Sequence, residues 1–304
     1  MDLSVEIAGR RLPNPVLVAS GTFGFGEEYA GLVDISRLGG ICTKAVTLQP
    51  RAGNPPPRIC ETPAGMLNAI GWQNPGLEVF LAEKLPALRG YEVPIIVNVA
   101  GETLEEYVEI ATRLSDVEDI AALELNISCP NVECGGMQFG LAPDLTRELV
   151  AAVRQATDQV LITKLSPNVT DITALAQAAV DGGSDALSLI NTLVGMSIDI
   201  QRRRPVLGNL TGGLSGPAIR PVAVRMTWEV AEAVEVPIIG MGGIITYEDA
   251  LEFIMAGASA VAVGTGNFVE PTTAVHVIDG LREYCIQHQI AKITDLVGTA
   301  HTGG

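Results

Sequence analysis

Eight short apolar runs, rich in β-branched residues and ending on or near Gly, Asn, Ser or Thr, constrain this chain more than any other feature. They are PVLVASG (15–21), GICTKA (40–45), PIIVNVAG (94–101), LELNISC (123–129), VLITKLSP (160–167), ALSLINT (186–192), PIIGMGGI (237–244) and AVAVGTG (260–266). Their apolar residues are nearly continuous and do not alternate, which is the pattern of parallel strands covered on both faces. Helical spacing fills the gaps. TLEEYVEIATRLS starts at Thr103 with Glu106 at capping-box distance, and DLTRELVAAVRQATD runs from Asp144. TDITALAQAAVDGG and TYEDALEFIMAGA finish near glycine, a helix C-terminal signal. Eight strand-helix units predict an α/β fold of the (β/α)8 barrel type, with residues 1–304 forming one domain.

Three stretches fall outside that repeat. LSVEIAGRRLP (3–13) reads as a hairpin turning at Ala8-Gly9, a plug for the barrel floor. Residues 47–76 form a polar excursion rich in Gly and Pro, and 193–220, with arginines at 202–204, form a long insertion after the sixth strand. Insertions of this length serve as active-site lids. An open doubly wound sheet is the competing fold, but Gly21, Gly24 and Gly26 after the first strand have the wrong spacing for a dinucleotide fingerprint.

Charge and cysteine usage exclude several roles. The net charge of -16 argues against a nucleic-acid surface and against anionic membrane. The five cysteines form no C-x-x-C pair, and no apolar run has signal or membrane-spanning length, so a soluble cytoplasmic protein is expected.

Strand ends converge on one face of such a barrel and nominate the site. They are Ser20, Lys44, Asn98, Asn126, Cys129, Lys164, Asn191, Thr192, Gly242, Gly243, Gly264 and Thr265, with no carboxylate among them. Two-carboxylate glycoside hydrolysis is thereby disfavoured. The three histidines, His276, His288 and His301, all follow the last strand, so no metal site is expected. The glycines after the seventh and eighth strands suit a phosphate. Lys44 and Lys164, set in apolar strands, suit an anionic ligand or snorkel to the rim. Asn68, Asn98, Asn126, Asn131 and Asn191 suit imide edges, or are caps and Asx turns. Cys129 is the uncharged group with an accessible acid-base range; Cys42 reads as a small buried hydrophobe, and Cys134 has no evident role.

The ordered series ASGTFGFG, CTKAVT, ETPAGMLNAIGWQNPG, VNVAG, ELNISCPNV, ITKLSPNVTDI, LINT, GGLSGPAIRP, IIGMGGI and AVAVGTG resembles class 1 dihydroorotate dehydrogenase over nearly the whole chain. That resemblance implies oxidation of (S)-dihydroorotate to orotate in pyrimidine biosynthesis, with one FMN per chain. FMN would contact Ser20, Lys44, Ala45, Asn98, Asn126, Lys164, Ile190 and Gly216, its phosphate held by Gly242, Gly243, Gly264 and Thr265. Dihydroorotate would be held by Lys44, Asn68, Ala69, Ile70, Gly71, Trp72, Asn126, Asn191 and Thr192, with Asn131 also plausible, and Cys129 would take the C5 proton.

The loop NVECGGMQFG is similar to that of the 1B subgroup, in which a second subunit holds FAD and a [2Fe-2S] cluster and passes electrons to NAD+. An α2β2 assembly follows from that likeness. The alternatives are a fumarate-dependent 1A enzyme, a dihydropyrimidine dehydrogenase-like barrel, and a noncatalytic FMN protein.

Overall fold

The computed structural model of the protein describes residues 1–128 and 139–302. Its strands, in chain order, are β1 Val5–Ile7, β2 Arg10–Leu12, β3 Val16–Val18, β4 Gly40–Cys42, β5 Ile59–Thr62, β6 Gly65–Asn68, β7 Ile95–Val99, β8 Ala122–Asn126, β9 Leu161–Lys164, β10 Ala186–Leu189, β11 Leu193–Gly195, β12 Ile198–Asp199, β13 Arg204–Pro205, β14 Gly212–Ser215, β15 Ile238–Met241 and β16 Ala260–Val263. Eight of them, one from each apolar run, close a parallel barrel in the order β10-β15-β16-β3-β4-β7-β8-β9. The expected barrel is therefore present. Its strands are buried on both faces, as at β7, where all of Ile95–Val99 is buried.

Helices cover the barrel where the sequence placed them, with local adjustments. Thr103 caps the helix Leu104–Leu114 by accepting from the Glu106 N–H. Glu106 returns its carboxylate to the Glu102 N–H, so the reciprocal bond falls one residue before the cap. The next described helix runs Pro143–Ala156 and begins before Asp144: Pro143, which has no N–H to satisfy, takes the first turn and Ala142 precedes it. Asp171 and Thr246 cap their helices, the latter in a full capping box with Asp249.

β1 and β2 pair as the expected hairpin and feed directly into the N-terminal end of β3, with Leu3, Val5, Ile7 and Leu12 buried in the main core. That places the plug at the closed end. The two long excursions are more ordered than loops. β5 and β6, which follow β4, join β11 and β14, which follow β10, in one antiparallel sheet of order β11-β14-β6-β5. Both excursions leave from carboxyl ends of barrel strands, so this sheet lies at the mouth. Asn74 anchors it: its Nδ2 donates to Thr47 Oγ1 and the Trp72 carbonyl, and its Oδ1 accepts from the Thr47 and Gly76 N–H groups. Among the described residues no helix is long and apolar enough to cross a membrane.

Candidate active site

Alternation along a strand decides what enters the barrel. On β8, Leu123 and Leu125 face the helices, whereas Ala122, Glu124 and Asn126 share the other face. Glu124 shows that this face is the interior, because its carboxylate reaches past the adjacent β7 to β4 and β10, which do not neighbour β8. Oε1 accepts from the thiol of Cys42 on β4 (3.0 Å) and from Asn98 Nδ2 on β7 (2.6 Å), and Oε2 accepts from Ser188 Oγ on β10 (2.7 Å). Lys164 on β9 brings its Nζ to 3.7 Å from Oε1. The strand ends thus sit on a buried carboxylate that a list of strand ends omits. The available signal was an acid at i-2 from Asn126 in a strand otherwise apolar.

Electrostatics keep this carboxylate charged. Burial pushes the Glu124 carboxyl up, but the Lys164 ammonium and the Cys42, Ser188 and Asn98 donors outweigh it, and the net displacement is below the ordinary range. The Cys42 thiol is driven well above its ordinary range by burial first and by the adjacent Glu124 charge second, so it is a donor here and not a nucleophile. The expectation of an inert buried Cys42 holds, with a hydrogen bond added.

Above this layer the amides form a relay. Asn126 Nδ2 donates to Asn98 Oδ1 at 3.2 Å. Asn126 Oδ1, though buried, has no hydrogen-bond partner among the described residues. An orphaned acceptor of this kind is costly unless a ligand donor meets it. Lys44, half-buried at the end of β4, has its ammonium pushed down by burial, against the Glu28 charge and with help from Arg58. Ala45 is buried against Trp72 and Ala100.

A second group lies where the mouth sheet meets β10. Asn191 Nδ2 donates to Ser128 Oγ (2.9 Å), and Asn191 Oδ1 accepts from the Thr192 N–H (2.8 Å). Asn68 pairs in register with Gly213 of β14. A side chain at Gly213 would collide with Thr192 Oγ1, so the residue that pairs with Asn68 lies directly against Thr192. Asn168, absent from the sequence-based list, ties Thr192 to Val194 through both ends of its amide. Ala69 and Ile70 continue the segment, Gly71 takes φ 73°, and Trp72 is buried at φ 53° with Nε1 unpartnered among the described residues.

The third group is glycine backbone. Gly216, Gly242 and Gly243 have φ of 97°, 137° and 77°, conformations that side chains rarely adopt. A Cβ on Gly243 would lie 2.8 Å from the Gly216 carbonyl, so the turns before the helix Arg220–Ala233 and after β15 are in contact. Thr265 Oγ1 donates to Ser215 Oγ at 2.7 Å, joining the end of β16 to β14. Gly264 stands next to Ala19, beside Ser20. Ile190 is buried at the end of β10, after a cis peptide from Leu189.

Lys164, an orphan Asn126 acceptor and the half-buried glycines after β15 and β16 suit a planar polar ring carrying a phosphate, which is the chemistry of FMN. Cys129, Asn131 and Cys134 lie outside the described residues.

Comparison with known proteins bears on the same point. The family model for dihydroorotate dehydrogenase matches residues 2–285. The chain is 60% identical over 302 residues to the catalytic subunit of dihydroorotate dehydrogenase B (NAD(+)) of Desulforudis audaxviator, covering 99% of this chain and 98% of the relative. It is 56% identical over 301 residues to the subunit of the same description from Geotalea uraniireducens, covering 99% of both. Among solved structures, Eimeria tenella DHODH in complex with ferulenol superposes with a TM-score of 0.83 at 26% identity, over 98% of this chain and 88% of that one. Fold, family model and near full-length identity agree, and the chain belongs to the dihydroorotate dehydrogenase family, in its NAD+-dependent class 1B branch of catalytic subunits.

Proposed function

We propose that this chain oxidises (S)-dihydroorotate to orotate in the cytoplasm, as a single FMN-binding domain whose electrons leave through a partner subunit carrying FAD and a [2Fe-2S] cluster to NAD+. The observation that carries the reading is that two groups stand side by side at the ends of β8 and β9: a buried Asn126 acceptor with no hydrogen-bond partner among the described residues, and Lys164, whose ammonium is ion-paired to Glu124. FMN, when bound, supplies the acceptor for the hydride that leaves C6 of the substrate.

The protein's part is to bind, orient and take a proton. Lys164, Asn98 and Asn126 hold the polar edge of the cofactor, with Ser20, Lys44, Ala45 and Ile190 along its ring and Gly216 beside it. The backbone at Gly242, Gly243, Gly264 and Thr265 holds the phosphate. Lys44 and the amides of Asn68, Asn126 and Asn191, with Ala69, Ile70, Gly71, Trp72 and Thr192, hold the carboxylate and imide of the substrate, joined by Asn131. Cys129 removes the C5 proton as the C5=C6 double bond forms, which requires its thiolate and a position opposite the departing C6 hydrogen. An α2β2 assembly around a catalytic homodimer completes the route to NAD+.

The test is anaerobic. Cys129→Ala is expected to retain FMN yet lose at least a hundredfold in the rate of flavin bleaching by dihydroorotate. Unchanged bleaching would refute Cys129 as the base. Bleached wild-type protein that NAD+ reoxidises only with the partner present supports the electron route; reoxidation by fumarate alone would overturn it.

A further inference from the structure

Among the described residues two carboxylates are buried, Asp249 and Glu124. Asp249 is accounted for, since it closes a capping box and pairs with Arg220. Glu124 serves no helix; it is level with Asn98 in the β7–β8 register and one interior position before Asn126 and Lys164, the groups assigned to the flavin.

An ionised carboxylate can only accept hydrogen bonds. Asn98 must therefore turn its amino group toward Glu124, and the 2.6 Å contact is made by Nδ2. Its Oδ1 is then committed to face Asn126, whose Nδ2 donates to it at 3.2 Å. Asn126 is left presenting Oδ1, the buried acceptor without a partner. A charge at one end of the relay thus dictates which atom appears at the other. The same carboxylate also balances Lys164 without consuming its N–H groups, because 3.7 Å is an ion-pair distance longer than a hydrogen bond. Both side chains are almost wholly buried, where an ammonium without a counter-charge would be strongly disfavoured.

We propose that Glu124 is a positioning residue of the flavin site: its carboxylate fixes the donor-acceptor sense of the Asn98-Asn126 relay and provides the standing counter-charge of Lys164. The inference rests on the assignment of Lys164 and Asn126 to FMN. Its consequence is electrochemical. A fixed negative charge beside Lys164 and beneath Asn126 would oppose the charge gained on reduction, so Glu124 holds the flavin potential lower than Lys164 alone would set it.

Glu124→Gln removes the charge with almost no change of shape. Anaerobic redox titration of the holoenzyme against a reference dye should show reduced FMN favoured over oxidised FMN at least tenfold more than in wild type, about 30 mV upward for a two-electron couple. Glu124→Asp, which keeps the charge, should shift the ratio by less than threefold. A Gln variant that holds FMN at the wild-type potential overturns the proposal.

Lys164→Met separates this from the underlying assignment. Unchanged FMN affinity and potential in that variant would sink the placement of Lys164 at the cofactor. Altered binding there, with an unmoved Gln variant, would sink Glu124 alone. If Glu124→Gln does not fold, infrared difference spectra of wild type with isotope-labelled glutamate decide. Carboxylate bands that shift on flavin reduction support the proposal, and a protonated-carboxyl band in either state overturns it.

Discussion

The barrel interior and the sheet over its mouth treat polarity in opposite ways. Inside, β7 and β8 are buried along their whole length, and each polar side chain they carry is tied to another strand: Asn98 and Glu124 to each other, Asn126 to Asn98. At the mouth, apolar side chains are half or more exposed, among them Ile59, Val194, Met196, Ile198 and Ile200. Burying an unpaired polar group is expensive, whereas exposing an isoleucine forgoes only its own transfer free energy. Position is therefore strongly determined by chemistry in the first region and only weakly in the second.

The sharpest way to probe that contrast is to remove a large side chain from the barrel wall. Phe253 is fully buried on the helix Tyr247–Met255, and a Cβ at Gly240 of β15 would fall 2.6 Å from its ring. Phe253→Ala should destabilise the whole fold by about 3–5 kcal/mol, since helix and strand cannot close the gap. Urea unfolding followed by flavin release and by circular dichroism should show both transitions shifted together. A shift in flavin release alone would mean that the barrel does not unfold as a unit.

A change at the junction of the two regions should be smaller and local. At Gly213, an added Cβ would sit 2.6 Å from Thr192 Cβ, on the residue that pairs with Asn68. Gly213→Ala is expected to raise the dihydroorotate KM roughly tenfold, about 1.4 kcal/mol, while the urea midpoint and FMN content stay near wild type. Loss of FMN instead would show that the mouth sheet supports the cofactor more than the substrate.

What the sequence disclosed follows the same division. Parallel strands buried on both faces advertise themselves as apolar runs, so all eight barrel strands could be read, as could the cap at Thr103. The mouth sheet could not be read. Its strands are three or four residues long, and Asn68 finds Gly213 across 145 residues, a pairing that no local pattern encodes. The deep layer failed for another reason. Glu124 belongs to a recognised strand, but attention to strand ends passes over a residue whose partners, Cys42, Asn98, Ser188 and Lys164, come from four other strands. Asn74 and Asn168 are of this kind too, since an amide that knits loops together looks in sequence like any turn residue.

The smallest effect should come from the most hydrophobic-looking part of the mouth. Ile200 is 78% exposed, beyond the end of β12 and next to the arginines of the β12–β13 turn. Already in water in the folded chain, it has little transfer free energy to lose, so Ile200→Ser should alter stability by no more than about 0.5 kcal/mol. The urea midpoint of the isolated chain checks this. A drop of several times that size would mean that Ile200 is covered in the folded protein, and exposed apolar residues at the mouth would then belong with the barrel core. An unchanged midpoint keeps the two regions distinct: hydrophobicity organises the barrel, while hydrogen-bonded amides such as Asn74 and Asn168 hold the sheet above it.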